Sequence, residues 1–230
     1  MRTFTFFSVF IFLITFNSCS NKTNPVDTII NKSYIECTVT DTAGSPLSDV
    51  DMHYMLLFDD VTEGSLTDPK PSTKINFLIP EPGYFDLVIL RIGSRDTVLV
   101  LFSHQYLPAG NHDYPMELEN LTNGVYIYVL KGENNQIEGT FFINEPATVL
   151  KGKKPLIKTS SNGLFFLNTS VLGIGSRFLF YNEGVNEPEV KVVSNRIWMI
   201  LFKDGFQDLI VPVKVDTNSV TKLNLTMTAQ

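Results

Sequence analysis

The chain has few of the residues that usually reveal chemistry: two cysteines, one tryptophan and three histidines in 230 residues. The histidines at positions 53, 104 and 112 form no His-x-x-x-His pair, and no Cys-x-x-Cys occurs, so the pattern does not indicate a zinc site. A Gly-x-Ser-x-Gly nucleophile turn and a phosphate-binding Gly-rich loop are also absent from the sequence. We therefore predict that the protein is not an enzyme and has no catalytic residue, cofactor or metal.

Basic residues are scarce as well, with 18 Lys and Arg against 24 Asp and Glu and a net charge of −6. A nucleic-acid surface needs clustered Lys and Arg. The one small basic group, at positions 151, 153 and 154, is typical of a solvated linker. The composition therefore predicts no nucleic-acid partner.

Long apolar runs are limited to one, Phe4 to Phe16, which has about 13 residues and follows Arg2. A helix that spans a bilayer needs about 20 such residues, so the run is typical of a secretory signal and not of an anchor helix. Ser18 and Cys19 follow it and resemble the lipobox of bacterial lipoproteins, in which cleavage precedes a cysteine. Phe16 and Asn17 depart from the usual Leu and small residue of that pattern.

The lipobox resemblance implies a signal peptide over residues 1–18 and a diacylglycerol on the thiol of Cys19, with the membrane as a partner through this lipid anchor. An ordinary signal peptide, with Cys19 incidental, is the alternative. Residues 19–33 are polar and predict a flexible tether. Lys22, with no acidic residue beside it, favours the periplasmic face of the outer membrane, and exposure on the cell surface stays open.

The rest of the chain is rich in Val, Ile, Thr, Phe and Tyr, the residues that suit a pleated and half-buried surface. About fourteen short apolar runs alternate with turn residues, and no amphipathic helix of three turns is evident, which predicts an all-β fold of antiparallel sandwiches. Asp204-Gly205 is a hairpin signal. Cys37 lies in an alternating strand and is predicted to be buried and inert. Trp198 lies in the apolar strand RIWMILF, where it either packs in the core or offers an aromatic platform.

Residues 71–130 resemble a FlgD-like immunoglobulin-like domain, a type also seen as a carboxy-terminal sorting domain of secretion systems. The matching positions are Pro71-Ser72-Thr73, Pro82-Gly83, Ala109-Gly110-Asn111-His112 and Asn123-Gly124-Val125-Tyr126-Ile127-Tyr128-Val129-Leu130. Met116-Glu117 and Arg91-Ile92-Gly93 depart from the family pattern. Gly110 and Gly124 lie where the chain turns, which suits positive φ. Tyr126 and Tyr128 share one strand face and are candidate interaction residues, as is Trp198.

A second resemblance is divided between two distant segments. TVTDTAGSPLSDVDMHY, from Thr38, is similar to the start of a carboxypeptidase-regulatory-like (transthyretin-like) sandwich, and the family's continuation occurs as KTSSNGLFFL at 158–167 and ILFKDGFQDLIVPVKV from Ile200. We predict a discontinuous sandwich of residues 34–60 plus 150–230, with a FlgD-like domain over 65–148 (about 69–145 by the resemblance) inserted in it. Insertion at a loop is well tolerated. Tandem domains are the alternative.

Together with the lipobox resemblance, the two domain resemblances imply a non-catalytic interaction or scaffold module of a bacterial cell envelope, with an envelope protein or glycan as its partner. Secretion-system cargo that carries a sorting-type domain, and an accessory glycan-binding module, are the alternatives.

Overall fold

The described part of the chain is nearly all β structure, which confirms the predicted fold class. The computed structural model describes residues 33–60, 74–115, 121–133, 135–180 and 189–230. The predicted signal peptide, Cys19 and most of the tether lie outside these residues. All of these described residues belong to one compact unit.

Fourteen strands and two short helices make up the described secondary structure. The strands are β1 Tyr34–Asp41, β2 Asp51–Asp60, β3 Lys74–Ile79, β4 Gly83–Arg91, β5 Thr97–Leu107, β6 Gly110–Pro115, β7 Gly124–Lys131, β8 Gln136–Ile143, β9 Ile157–Lys158, β10 Leu164–Asn168, β11 Arg177–Phe180, β12 Glu189–Phe202, β13 Leu209–Lys214 and β14 Val220–Met227. The helices are α1, Ala147–Leu150, and a 3-10 turn at Thr169–Leu172.

A first pair of facing sheets is built from both ends of the described chain. One sheet has the order β10-β1-β14, and the other has the order β11-β12-β2-β9 with β13 also paired to β12. Strands β1 and β14 run parallel, with Tyr34 opposite Val220, whereas every other described pair is antiparallel. The β1–β14 pair is thus the one parallel pair among the described strands, within sheets that are otherwise antiparallel as predicted.

Period-two alternation sends one face of each strand into the first core. Along β1 the inward residues Ile35, Cys37 and Val39 are fully buried. They meet inward residues of β2, among which Met52 and Tyr54 are at most 1% exposed. This core therefore lies between the two sheets, as in a sandwich.

A second pair of sheets is built from the middle of the chain, β3 to β8. The sheets have the orders β3-β6 and β5-β4-β7-β8, and their facing sides form a separate apolar cluster that includes Ile75, Leu87, Ile89 and Leu130. Strands β3 to β8 thus pair with one another, although in the chain they lie between β2 and β9, which are themselves paired.

The two pairs of sheets are joined by both apolar and polar contacts. Val125 of β7 and Phe142 of β8 belong to the first core, where the ring of Phe142 lies 4.9 Å from that of Phe178. The amides of Asn123 and Asn144 reach the β2 backbone: Asn123 Nδ2 donates to the Tyr54 carbonyl at 2.9 Å, and Asn144 Oδ1 accepts from the Leu56 N–H at 2.8 Å.

The segment 145–155, which includes the basic group at 151, 153 and 154 that is typical of a solvated linker, contains α1 and is partly buried. Ala147 and Leu150 are three residues apart and so share one side of the short helix. Leu150 is fully buried against Ile200 and Phe202, on the face of β12 that points away from the first core. The segment therefore covers the outer face of this sheet, a role that its polar residues do not suggest.

Candidate interaction surface

Cys37 and His53, the thiol and the imidazole that could take part in chemistry on the first pair of sheets, are both buried. Cys37 is fully buried, as predicted, and burial raises the pKa of its thiol to about 12. His53, on β2, is 1% exposed, neither ring nitrogen has a hydrogen-bond partner among the described residues, and its ring meets Phe202 edge-on at 5.5 Å. Burial lowers the pKa of His53, which favours the neutral ring. Neither group is presented to a substrate.

Tyr126, a candidate interaction residue, lies inside the second core and is 0% exposed. Its hydroxyl donates to the backbone carbonyl of Thr122 at 2.7 Å, four residues earlier. This is the geometry of a tyrosine corner, a structural feature of immunoglobulin-like sandwiches. The side chain therefore stabilises the entry into β7 and offers no surface to a partner.

Tyr128 lies two residues further along the same face of β7 and is half-buried. Its hydroxyl donates to the Asn76 carbonyl at 3.4 Å, and its ring covers Gly139 on the neighbouring strand. A Cβ at Gly139 would lie 2.3 Å from the ring, so the glycine makes room for the tyrosine. Tyr128 thus spans the gap between the two sheets of the second core.

Trp198 is half-buried on the outer face of its sheet, because its neighbours Ile197 and Met199 point into the first core. Strand β12 is central in its sheet, and Trp198 lies between Met55 of β2 and Pro212 of β13. The tryptophan is accordingly neither in the core between the sheets nor part of an exposed aromatic group.

An exposed aromatic cluster that the sequence analysis did not single out lies at the β4–β5 edge of the second pair of sheets. We call Tyr84, His104 and Tyr106 the aromatic surface. Tyr84 and Tyr106 face each other across the two strands and are 52% and 57% exposed. The ring of His104 stacks on Tyr84 at 4.5 Å with 8° between the planes, and Tyr106 meets Tyr84 edge-on at 5.5 Å.

A bulge in β5 positions this surface. Phe85 is opposite Gln105 and Leu87 is opposite Phe102, so two residues of β5 oppose the single residue Asp86. One carboxylate oxygen of Asp86 accepts from the Ser103 hydroxyl and, at 2.8 Å, from the His104 N–H. These two hydrogen bonds, the Ser103 bond foremost, lower the pKa of Asp86.

His104 has a left-handed backbone, with φ of +50°. Such a conformation costs a residue other than glycine about 1–3 kcal/mol and persists only where its surroundings enforce it. Here the hydrogen bonds of Asp86 enforce it, and the result is that the imidazole lies flat against Tyr84.

A cleft of about 170 Å³ adjoins the aromatic surface and shares Tyr84 with it. Its walls are the β3–β4 turn, with Glu81, and the β7–β8 turn, with Glu133 and Asn135. The ring of Phe85 also lines it, and a Cβ at Gly132 would lie 2.7 Å from that ring, so the second turn needs a glycine to approach so closely. The cleft is thus polar on its walls and aromatic at one side.

The sequence carries only a partial signal for this arrangement. His104 and Tyr106 alternate in SHQYL, and Tyr84 opens the strand YFDLVIL, but nothing in either run indicates which residues meet. The pairing of β4 with β5 shifts register at three places, so the spacing of residues in the sequence does not show which residues lie opposite each other. The cluster is therefore a product of the bulges, which period-two reasoning does not predict.

Comparison with known proteins adds no assignment, since no protein-family model matches the chain and no curated protein matches it. In the part of the chain that the structure describes, no helix is long and apolar enough to cross a membrane. Within the same residues, no three His, Cys, Asp or Glu side chains are grouped in a way that could hold a metal ion.

Proposed function

We propose that the protein is a non-catalytic lipoprotein of a bacterial cell envelope that works as an interaction module and contacts its partner through the aromatic surface. The observation that carries this proposal is the exposure of Tyr84 and Tyr106 beside a strained, carboxylate-held bulge. Aromatic side chains supply large contact area with little entropy to lose, and a strained backbone is more often found at functional sites than elsewhere.

The proposed domain organisation follows the sequence resemblances. Residues 34–60 and 150–230 form a carboxypeptidase-regulatory-like sandwich, and residues 65–148 form a FlgD-like domain inserted in it. The pairing of β2 with β9 and β12 supports this organisation, as does the positive φ of Gly110 and Gly124, at +128° and +153°. In this proposal the inserted domain presents the aromatic surface and the outer sandwich connects it to the tether.

The proposed location depends on Cys19. A lipid on this thiol would hold the chain at a membrane, because two or more acyl chains give stable anchoring. In this proposal the membrane is the outer membrane and the chain lies on its periplasmic face, as Lys22 favours. Labelling of producing cells with a palmitate analogue tests this directly. We expect label on the wild-type chain and none on Cys19→Ser, with Cys37→Ser as the matched control that keeps the label. A wild-type chain without label would contradict the proposed anchor.

The interaction itself is tested with envelope material of the producing bacterium that has been freed of lipid by detergent. We expect the full-length chain, kept in detergent, to sediment with this material, and the Tyr84→Ala Tyr106→Ala variant to stay in solution. Phe166→Ala is the matched control, because Phe166 is a 56% exposed aromatic residue on β10, outside the aromatic surface. A wild-type chain that stays in solution would overturn the proposed function.

A further inference from the structure

We propose that the aromatic surface and its adjoining cleft bind the sugar rings of a glycan chain. This inference rests on the proposed function and names the partner class of the same site. Three features support it. The arrangement of the three rings argues against a cation as the ligand, the polar cleft beside them suits sugar hydroxyl groups, and the form of the β5 edge argues against a peptide strand.

The rings form a continuous surface and not a cage. His104 lies flat on Tyr84, and Tyr106 touches Tyr84 edge-on, so no space is left between the rings for a cation to enter. An ammonium group is bound best over a ring face within about 6 Å, and in a cage several faces converge on it. A pyranose ring instead has a flat face of C–H groups, which can lie on an exposed aromatic surface of this kind.

The cleft supplies the polar half of such a site. Glu81, Glu133 and Asn135 line this cleft together with Tyr84. Carboxylates accept hydrogen bonds and an amide both donates and accepts, which suits the hydroxyl groups at the rim of a sugar ring. At about 170 Å³ the cleft is smaller than the 300–1,000 Å³ typical of pockets for drug-sized ligands, so in this proposal it takes a single ring of a longer chain.

The bulged edge of β5 argues against a peptide strand as the ligand. Strand addition needs a regular row of free backbone groups on an edge. Three register shifts interrupt the β4–β5 ladder, and the backbone N–H of His104 is turned to Asp86. Bulges of this kind protect an edge strand from pairing with another chain. The side chains, and not the backbone, are therefore the groups that this edge offers.

The test divides the lipid-free envelope material into three portions: untreated, digested with protease, and oxidised with periodate, which cleaves vicinal diols of sugars. We expect the full-length chain to sediment with the untreated and the protease-digested material and to lose binding to the oxidised material. Binding that disappears after protease and survives periodate would overturn the glycan inference and leave the proposed function standing. A chain that sediments with none of the portions would overturn both.

Variants then place the site. Against the protease-digested material, we expect Tyr84→Ala and Tyr106→Ala each to weaken binding about tenfold or more, as truncation of a central aromatic anchor does. Phe166→Ala should bind as the wild type does. Equal binding by all variants would overturn the assignment of the glycan to the aromatic surface. Circular dichroism of each variant shows whether a loss of binding reflects a loss of fold, and Tyr84→Phe, which keeps the ring, should retain most of the binding.

Discussion

At the scale of single residues, His53 is a polar side chain in a buried environment that gives its two ring nitrogens no hydrogen-bond partner among the described residues. A neutral imidazole has one donor and one acceptor nitrogen, and burial without partners leaves both unsatisfied. Protonation would make the burial costlier still. Asp51, two residues away on the same face of β2, opposes this effect and favours the protonated ring, but its carboxylate is engaged by Lys158 at 2.8 Å. Desolvation is the stronger of the two influences on His53.

We predict that His53 makes the protein less stable in mild acid. Because the folded state lowers its pKa, the unfolded chain binds the proton more readily, so the free energy of unfolding falls as the pH drops below about 6.5 and on through the folded-state pKa. His53→Leu should flatten this decline in urea titrations between about pH 7.5 and 5. Asn224→Ala, which changes no titrating group and lies at an exposed position of β14, is the control and should keep the decline. Parallel curves for wild type and His53→Leu would contradict the prediction.

The tyrosine corner gives a second prediction for a single residue. Tyr126→Phe removes one hydroxyl and leaves the Thr122 carbonyl without that donor. We expect a loss of about 1 kcal/mol in the free energy of unfolding, the usual net value of one intramolecular hydrogen bond. Tyr106→Phe, at a 57% exposed position, should change stability by much less. Equal losses in denaturant titrations of the two variants would show that the Tyr126 hydroxyl has no special structural role.

Predictions from sequence succeeded at residues whose role is local. Cys37 is buried because strict alternation places it beside Ile35 and Val39, and Gly205 has a φ of +79° because Asp-Gly favours the hairpin that joins β12 and β13. Sequence reasoning chose Tyr126 as an interaction residue and overlooked Tyr84. Both belong to alternating strands, and only the pairing of those strands decides which tyrosine is buried.

At the scale of elements, β2 shows how an edge is completed by side chains. Its pairing with β9 covers only Asp51 and Met52, so among the described strands the backbone of Tyr54 and Leu56 has no strand partner on that side. The Asn144 amide accepts from the Leu56 N–H and donates to the Leu56 carbonyl, as a peptide group of a neighbouring strand would. Asn123 adds a bond to the Tyr54 carbonyl. We call these two residues the asparagine clamp.

We predict that the asparagine clamp is a major stabilising contact between the two pairs of sheets. Asn123 is 1% exposed and also bonds both the N–H and the carbonyl of Glu145, so Asn123→Ala leaves several backbone groups unpaired. A loss of about 2 kcal/mol or more is expected in denaturant titrations. Asn224→Ala, at an exposed position of β14, is the matched control and should cost little. A comparably small loss for Asn123→Ala would show that the clamp does not stabilise the junction.

The sequence predicts the succession of strands, but it does not predict the bulges within them or the contacts of the short helix. Alternating apolar residues bounded by turn residues indicate where β1, β10 and β13 lie. The bulges of β5 and the contacts of α1 depend on which element packs opposite, and that information is spread over residues far apart in the chain. The aromatic surface is built on such an irregularity, and for that reason it was missed.

At the scale of the whole molecule, the two apolar cores are distinct clusters that meet at the asparagine clamp and at the rings around Phe58. Phe58 of β2 lies 5.0 Å from Phe142 and 5.2 Å from Phe180, measured between ring centroids, so one aromatic group includes strands from both pairs of sheets. Val125 is fully buried in the first core although its strand belongs to the second pair. Separation of the two cores would expose these side chains to water.

We therefore predict that both pairs of sheets unfold in one cooperative transition, because neither keeps its buried surface without the other. Hydrogen exchange followed by mass spectrometry at increasing urea should give the same opening free energy for peptides from β1 and from β4. In Asn123→Ala Asn144→Ala, which removes the asparagine clamp, the β4 peptides should open at lower urea than those of β1, whereas Asn224→Ala should keep them together. Two separate transitions in the wild type would mean that the contacts between the cores are too weak to couple them, and the aromatic surface would then belong to a unit that folds on its own.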